Sequence, residues 1–430
     1  MGARMEGWER LWDTQLRWLT RPRRVIGTTP PRIERRMTVP WSDPSGRFEL
    51  TDTILGEGGY GVVCLARDRS VTPAVDVAAK KLDLCQLRED QVAREVNAFR
   101  RIQEEGSSPC EYVVQLLADA VEEGVAHYLF FPYCAGGDLL DRTLSMGGLK
   151  EEVARPLFAQ MTRGVAHLHD LGVAHRDIKL ENFFLTASGD VRLGDLGLAA
   201  LSESRDPAAS APLLCSEWAG SESYAAPEVW AVELQGRSSS HKSFDAYPAD
   251  IWSLGICLFT MLNNMMPLDK AVPQADWRYD LLVQCYRSGA SYAVQLHEQY
   301  GRKCTLSISA LGLLAWMLAI DPKRRPSAAE LETSAWRVEA AAAAPTASQS
   351  APAAPSASLA SACPALLLES ELDSKYVMRG GDRPSGAWHQ DHIEIYPLED
   401  EITWRSASSL GTEHEPLVPK RQNAKERRRA

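Results

Sequence analysis

The chain has 430 residues, 45% hydrophobic and 24% charged: enough apolar content for one two-lobed domain or two ordinary ones, with no apolar run of membrane-spanning length. Nine cysteines, odd in number and without a Cys-x-x-Cys pair, argue against a zinc site or a disulfide framework, and with no secretory signal the expected setting is cytoplasmic or nuclear. The net charge of -10 argues against general nucleic-acid binding and is uneven: nine basic against five acidic residues over 1–46, and eleven against thirteen over 337–430, leave roughly -12 in the middle, which suits basic partners.

In residues 5–19, Trp8, Leu11, Trp12, Gln15, Leu16 and Leu19 recur at helical spacing opposite Arg10, Asp13 and Arg17. The pattern predicts one amphipathic helix that packs on a domain surface, with membrane-surface binding or organelle targeting as the alternative. Gly2 is followed by Glu6 where N-myristoylation needs Ser or Thr, so lipidation is not expected. Paired prolines at 30 and 31 among many arginines make residues 21–44 an extended linker.

From Phe48 the chain becomes strand-like, with Phe48-Glu49-Leu50 and Ile54-Leu55 leading into Gly56-Glu57-Gly58-Gly59-Tyr60-Gly61-Val62-Val63. Glycines let a backbone lie close over phosphates, where any side chain would intrude. A lone G-x-G-x-x-G also occurs in dinucleotide folds, but there it opens a helix, and here Val62 to Ala66 continues as a strand. The apolar strand Val77-Ala78-Ala79 ends in Lys80, and fifteen residues later Glu95 lies within the helical pattern Val92, Val96, Phe99 and Ile102. A lysine near phosphates needs a carboxylate to hold it, and a helix packed on the sheet can supply one.

Tyr128 to Tyr133 reads as a buried strand running into the turn Ala135-Gly136-Gly137 and a helix start at Asp138. Val153, Leu157, Met161, Val165 and Leu168 then form one helical stripe, predicted to be the core of a larger lobe. Directly after it, His175-Arg176-Asp177-Ile178-Lys179-Leu180-Glu181-Asn182 packs acids, cations and an amide into a segment with no reason to sit in a core. Asp177 can take or orient a hydroxyl proton, Lys179 can neutralise a transferring phosphoryl group, and Asn182 can hold a metal. One short hairpin later, the strand Val191-Arg192-Leu193 leads to Asp195-Leu196-Gly197, whose acid can meet Asn182 around one Mg2+ ion.

In this order the segments resemble the glycine loop, paired lysine and glutamate, catalytic loop and metal loop of eukaryotic protein kinases. The resemblance implies an α+β fold of two lobes: a small antiparallel β lobe with one helix, and a large, mainly helical lobe, with ATP between them. It makes Gly56, Gly58 and Gly61 the phosphate cover, and Leu55, Val63, Ala78 and Phe184 further nucleotide contacts. Lys80 grips the phosphates while held by Glu95; Phe131 is the gatekeeper; Asp138 caps the next helix and reaches the ribose. Asn182 and Asp195 hold Mg2+, Asp177 orients the acceptor hydroxyl, and Lys179 offsets phosphoryl charge. Pro132 replaces the usual acidic hinge residue, leaving its neighbours to make the adenine contacts.

Gly220 to Glu228 resembles the segment closing a kinase activation loop, and Asp250-Ile251-Trp252-Ser253-Leu254-Gly255 the start of the central helix. Glu228 and Arg325 are expected to form a structural salt bridge, and residues 236–242 a solvated insertion. Where many relatives carry an activating phosphothreonine this chain has Glu217, whose carboxylate is expected within reach of Arg176, with phosphorylation of Ser216 as the alternative. Lys179 and Ser221 point to the serine/threonine branch, closest in look to calmodulin-dependent and AMP-activated-like kinases. Protein substrates with arginine upstream of the acceptor are expected from the acidic middle, Asp138 and Glu181. The rival readings are a pseudokinase scaffold, suggested by Leu196 in place of the usual Phe and by Pro132, and a dinucleotide oxidoreductase, which the strand after the glycines argues against.

The expected domains are an N-terminal helix and basic linker over 1–46, a kinase domain over 47–336, an Ala/Pro/Ser-rich linker over 337–365 and a tail over 366–430. Short apolar groups alternate with acids in the tail, which predicts disorder with a patch that binds a partner or the kinase domain; a small ordered appendix is the alternative. Lys420, Arg421, Lys425 and Arg427 to Arg429 form either a nuclear-import signal or a solvated basic end.

Overall fold

Alternating side-chain direction along each strand gives the small lobe two apolar layers. The computed structural model describes residues 43, 45–58, 61–104, 110–203, 211–235, 243–334 and 336, with two further strands between 393 and 406. The expected N-terminal helix, most of its linker, the insertion at 236–242 and the basic C-terminal cluster lie outside the described residues. The chain divides into two units, Met1–Ala357 and Ser358–Ala430.

In the first unit, β1 (Phe48–Gly58), β2 (Gly61–Asp68), β3 (Val75–Asp83), α1 (Glu89–Glu104), β4 (Ala118–Glu122) and β5 (Ala126–Pro132) form the small lobe. The strands make one antiparallel sheet in the order β1-β2-β3-β5-β4. Val77 and Ala79 join Phe48, Leu50, Tyr128 and Phe130 in one buried cluster, where the Phe48 and Phe130 rings stack at 4.0 Å. The period of two turns Ala78, Lys80 and Leu82 to the other face, toward α1. That helix buries Val92, Val96, Phe99 and Ile102, the stripe expected from its spacing, and carries Glu89 and Asp90 in its first turn, where they complement the helix dipole.

The large lobe follows with α2 (Leu139–Ser145) and α3 (Glu151–Asp170), then the short strands β6 (Val173–Ala174), β7 (Phe183–Leu185), β8 (Val191–Leu193), β9 (Ala200–Leu201) and β10 (Leu214–Cys215). After them come α4 (Pro227–Gln235), β11 (Phe244–Asp245), α5 (Ala246–Asn263), α6 (Trp277–Ser288), α7 (Tyr292–Gln299), α8 (Ile308–Met317) and α9 (Ala328–Glu332). Asp138 caps α2 by accepting the Asp141 amide at 2.9 Å. Of the expected α3 stripe, Met161, Val165 and Leu168 are buried and Leu157 packs against the core, while Val153 is exposed and Ala154 and Phe158 extend the buried face at that end. Phe158 meets the buried indole of Trp336 edge-on at 5.8 Å. Helix α5 is apolar on all sides and buried along its length, which makes it the lobe's central strut.

Two polar hubs close the lobe. Glu151 accepts hydrogen bonds from the Ser307 amide and hydroxyl and from Trp336 Nε1, the last at 2.6 Å, so α3, the start of α8 and Trp336 share one carboxylate. Burial opposes its ionisation, but these bonds hold it below the ordinary carboxylate range. The expected Glu228–Arg325 pair is formed and bidentate, at 2.6 and 2.8 Å, and Arg325 also donates to the Ala319 and Pro248 carbonyls. In the second unit, β12 (Ile393–Leu398) and β13 (Glu401–Ser406) pair antiparallel, Ile393 opposite Ser406. Among the described residues no helix is long and apolar enough to cross a membrane.

Removing one member of a buried pair leaves the other charge uncompensated. Arg325→Met is therefore expected to cost about 3–5 kcal/mol of stability. Urea denaturation checks this, and an unchanged midpoint would show that the pair does not brace the lobe.

Candidate active site

The glycine segment is the closing end of the β1–β2 hairpin. Gly56 faces Val63 and Gly58 faces Gly61, while Gly59 and Tyr60 lie outside the described residues. Gly61 has φ 137, and a Cβ there would come within 2.0 Å of the Lys81 carbonyl oxygen, so only glycine lets the hairpin lie against β3. Sheet register sets Val63 opposite Lys80, and Ala78 opposite Phe131. Phe131 is backed by Phe99 at 5.0 Å between ring centroids. Val63, Ala78 and Phe184 are half-buried, and Leu55, in an irregular stretch of β1, is exposed.

Beyond β5 the chain is clipped to the large lobe by Gly136 N–H donating to the Leu185 carbonyl and Leu185 N–H donating to that of Gly137, both at 2.8 Å. A Cβ on Gly136 would meet Leu185 at 2.7 Å, which explains the glycine. The clip brings Asp138 opposite Phe184. Pro132, the end of β5, has no N–H to donate but keeps its carbonyl.

Lys80, Glu95 and Asp195 form one ionic cluster drawn from β3, α1 and the loop after β8. The Lys80 ammonium lies 2.7 and 2.9 Å from the two Glu95 oxygens and 2.7 Å from Asp195 Oδ1. Glu95 is only 2% exposed. Burial alone would discharge the lysine, but the two carboxylates overcome it and hold the ammonium charged. Burial likewise opposes ionisation of Asp195, yet the lysine pulls its carboxyl down to about 2. The stabilisation from that depressed pKa is complete above the ordinary value of 3.8 and disappears only as pH falls toward 2.

Asp177 is the centre of a second cluster. Lys179 Nζ donates to its Oδ2 at 2.6 Å, Ser221 Oγ donates to its Oδ1 at 2.9 Å, and Lys179 also reaches Ser221 Oγ at 3.1 Å. Burial opposes the charge on Lys179, but Asp177 raises its pKa. Asn182 turns its amide Nδ2 to the Asp177 carbonyl at 2.8 Å. Among the described residues, Asn182 Oδ1 and Asp195 Oδ2 have no partner. They are hard oxygen donors of the kind a Mg2+ ion takes, so the residues fit that ion.

The catalytic-type loop hangs from α5. The Asp250 carboxylate, 1% exposed, accepts the backbone amides of His175 and Arg176, each at 2.8 Å, and lies 3.0 Å from His169 Nε2. His175 donates from Nε2 to the Gly194 carbonyl, and its Nδ1 accepts the Asp177 amide, so one imidazole ties the loop to the strand leading to Asp195. Arg176 and Asp195 both have φ 64, a left-handed conformation that costs non-glycine residues about 1–3 kcal/mol each and persists only where surroundings over-determine it. Gly220, with φ 106, passes so close to the Arg176 carbonyl that a Cβ would stand 2.5 Å from its oxygen.

One expectation is corrected. Arg176 does reach Glu217, but its Nη2 donates at 2.9 Å to the main-chain carbonyl, and the Glu217 side chain is exposed. Any residue at 217 offers that acceptor, so the contact does not depend on a carboxylate. The sequence reading also passed over Asp250 as an anchor. Its signal was present: an acid heading a long apolar helix is buried and must be paired.

Asp250→Ala is expected to lower stability by about 3 kcal/mol or more, since two amides lose a charged acceptor. Chemical denaturation measures it, and a loss below about 1 kcal/mol would mean that the loop is held by other contacts.

Comparison with known proteins agrees with this arrangement. Residues 50–337 match the family model described as Protein kinase domain. The chain is 28% identical over 293 residues to CBL-interacting serine/threonine-protein kinase 8 of Arabidopsis thaliana, covering 68% of this chain and 57% of that protein. It is 34% identical over 250 residues to CBL-interacting protein kinase 22 of Oryza sativa subsp. japonica, covering 54% and 52%. To maternal embryonic leucine zipper kinase of Xenopus tropicalis it is 29% identical over 294 residues, covering 68% and 39%. The chain thus spans about half the length of the curated relatives it matches. With the family model covering most of the chain and the ionic clusters in place, the chain belongs to the protein kinase family.

Proposed function

We propose that the chain is an ATP-dependent protein serine/threonine kinase, transferring the γ-phosphoryl group of ATP to a serine or threonine hydroxyl of protein substrates. The observation that carries this reading is Asp177 held between Lys179 and Ser221, with Lys80 clasped by Glu95 and Asp195 beside it. In the proposed reaction the acceptor hydroxyl binds at the Asp177 carboxylate beside Ser221, and the carboxylate orients it and receives its proton. The acceptor oxygen forms the new bond to phosphorus as the bond to the ADP oxygen breaks. Lys179 offsets charge on the phosphoryl oxygens, and Lys80, kept charged by two carboxylates, fixes the remaining phosphates. Leu55, Gly56, Gly58, Gly61, Val63, Ala78, Phe131, Asp138 and Phe184 are assigned to the nucleotide. Mg2+ bound through Asn182 and Asp195 would supply further neutralisation of the phosphates.

The pseudokinase alternative finds less support. Leu196 is fully buried in the main core cluster and keeps an apolar plug beside Asp195, and Pro132 removes no catalytic group. The names of the relatives support the serine/threonine branch. The proposal extends to a cytoplasmic or nuclear setting, to a kinase domain over 47–336, and to a tail over 366–430 that engages a partner or the kinase domain.

Asp195→Asn keeps the shape and removes the charge, so phosphorylation of a generic basic peptide should fall at least about 100-fold. Lys80→Met should do the same and also lower stability, because it leaves Glu95 buried without its cation; thermal unfolding separates the two effects. Near-normal turnover in either variant would refute the assignment. Arginine upstream of the acceptor should be preferred on a peptide array, given the acidic middle of the chain with Asp138 and Glu181. A preference for acidic or proline-directed sites would overturn that part.

A further inference from the structure

Helix α1 carries Glu95, so whatever sets the position of α1 sets the state of Lys80. Among the described residues, three polar side chains near its C-terminal end bind outside the helix. Arg100 pairs with Asp119 on β4 at 3.5 Å, and Gln103 donates to the Leu116 carbonyl just before β4, so both contacts stay within the small lobe. Arg101 does not. Its Nη2 donates to the Ser202 carbonyl at 3.0 Å and its Nη1 to the Leu171 carbonyl at 3.4 Å.

Those two carbonyls belong to one platform. Leu171 ends α3 and Ser202 follows β9, and Ser202 N–H donates to Gly172 at 2.7 Å. Between them β6 and β9 pair, Val173 with Leu201 and Ala174 with Ala200. The residue after β6 is His175, at the head of the loop bearing Asp177, and β9 lies a few residues beyond Asp195. The guanidinium is thus seated at the end of the ribbon whose strands adjoin the two segments that carry Asp177 and Asp195. Glu95 lies six residues before Arg101, about 9 Å along the helix at 1.5 Å per residue.

We propose that Arg101 is a positioning residue: it pegs α1 to the β6–β9 ribbon and so holds Glu95 against Lys80, making closure of the ionic cluster a property of the chain's own contacts. A basic side chain in the last turn also suits the helix dipole. That role needs no directed bonds, and it would not select two carbonyls from separate segments of the other lobe. The planar fork of an arginine can satisfy both at once, which a lysine ammonium on its flexible stem cannot do in the same geometry.

The inference rests on the kinase reading for its activity readout but not for its structural one. On the full chain, hydrogen–deuterium exchange of residues 89–104 should speed up about tenfold in Arg101→Ala around Glu95, and less in Arg101→Lys. Unchanged exchange in Arg101→Ala would overturn the proposal whether or not the protein phosphorylates anything. In peptide phosphorylation, Arg101→Ala should lower kcat about tenfold with the peptide KM unchanged. Added to Glu95→Gln it should lower kcat by less than about twofold further, because both changes break the same clasp. Independent, multiplying losses would mean that Arg101 acts elsewhere and would overturn the proposal. Absence of phosphorylation by the unmodified chain would count against the kinase reading alone, with the exchange measurement still deciding the peg.

Discussion

The Lys80 ammonium is the point on which this structure turns. It is almost fully buried, a position that would ordinarily strip a lysine of its proton, and it keeps its charge only because two carboxylates stand within hydrogen-bond distance. Those carboxylates come from different parts of the fold, Glu95 from the helix on the sheet and Asp195 from the loop of the large lobe. One cation therefore holds a strand, a helix and a loop to one another. Gly197 shows how tightly: a Cβ there would stand 3.3 Å from Glu95 and 3.4 Å from Asp195.

Around that cluster, polar groups buried in the large lobe act as brackets. Asp250 sits where an apolar helix would otherwise present hydrocarbon, and it offers its oxygens to main-chain amides that a left-handed Arg176 leaves pointing inward. The conformational cost at Arg176 is thereby met by bonds to a charged acceptor. His175 continues the bracket to Gly194, one residue before the second left-handed position, Asp195. The two loops that carry the chemistry are strained at one residue each and joined through one ring. Glu228 with Arg325, and Glu151 with Trp336, repeat the pattern elsewhere in the lobe, where one charged side chain gathers partners from distant segments.

Much of the site was legible because its chemistry is local. Asp177, Lys179 and Asn182 lie within six residues, and loop closure over so short a span leaves few places for their side chains to go. Lys80 shares a face with Ala78 by strand periodicity alone, and Glu95 falls beside Phe99 and Val92 on a helix whose spacing is plain. Legibility failed at phase and at direction. The α3 stripe held at Met161, Val165 and Leu168 but not at Val153, because a helix with apolar residues on adjacent lines can present either line, and there the line of Ala154 and Phe158, the latter against Trp336 from far away in sequence, is the buried one.

The sequence by itself determined where several strands and helices lie and which ionisable groups stand around the cleft, because periodicity, glycine placement and short-range spacing act within a few residues, while the two-lobed α+β architecture was implied by the resemblance those motifs carry. Only the tertiary structure decided which of those groups meet. That Asp250 supports the loop, that Arg101 reaches across to the β6–β9 ribbon, and that Arg176 binds the carbonyl of Glu217 and not its carboxylate depend on segments brought together across 41 to 101 residues. Two of these contacts use main-chain carbonyls. Every residue carries one, so no side-chain pattern marks which carbonyl will be chosen until the backbone has been laid in place.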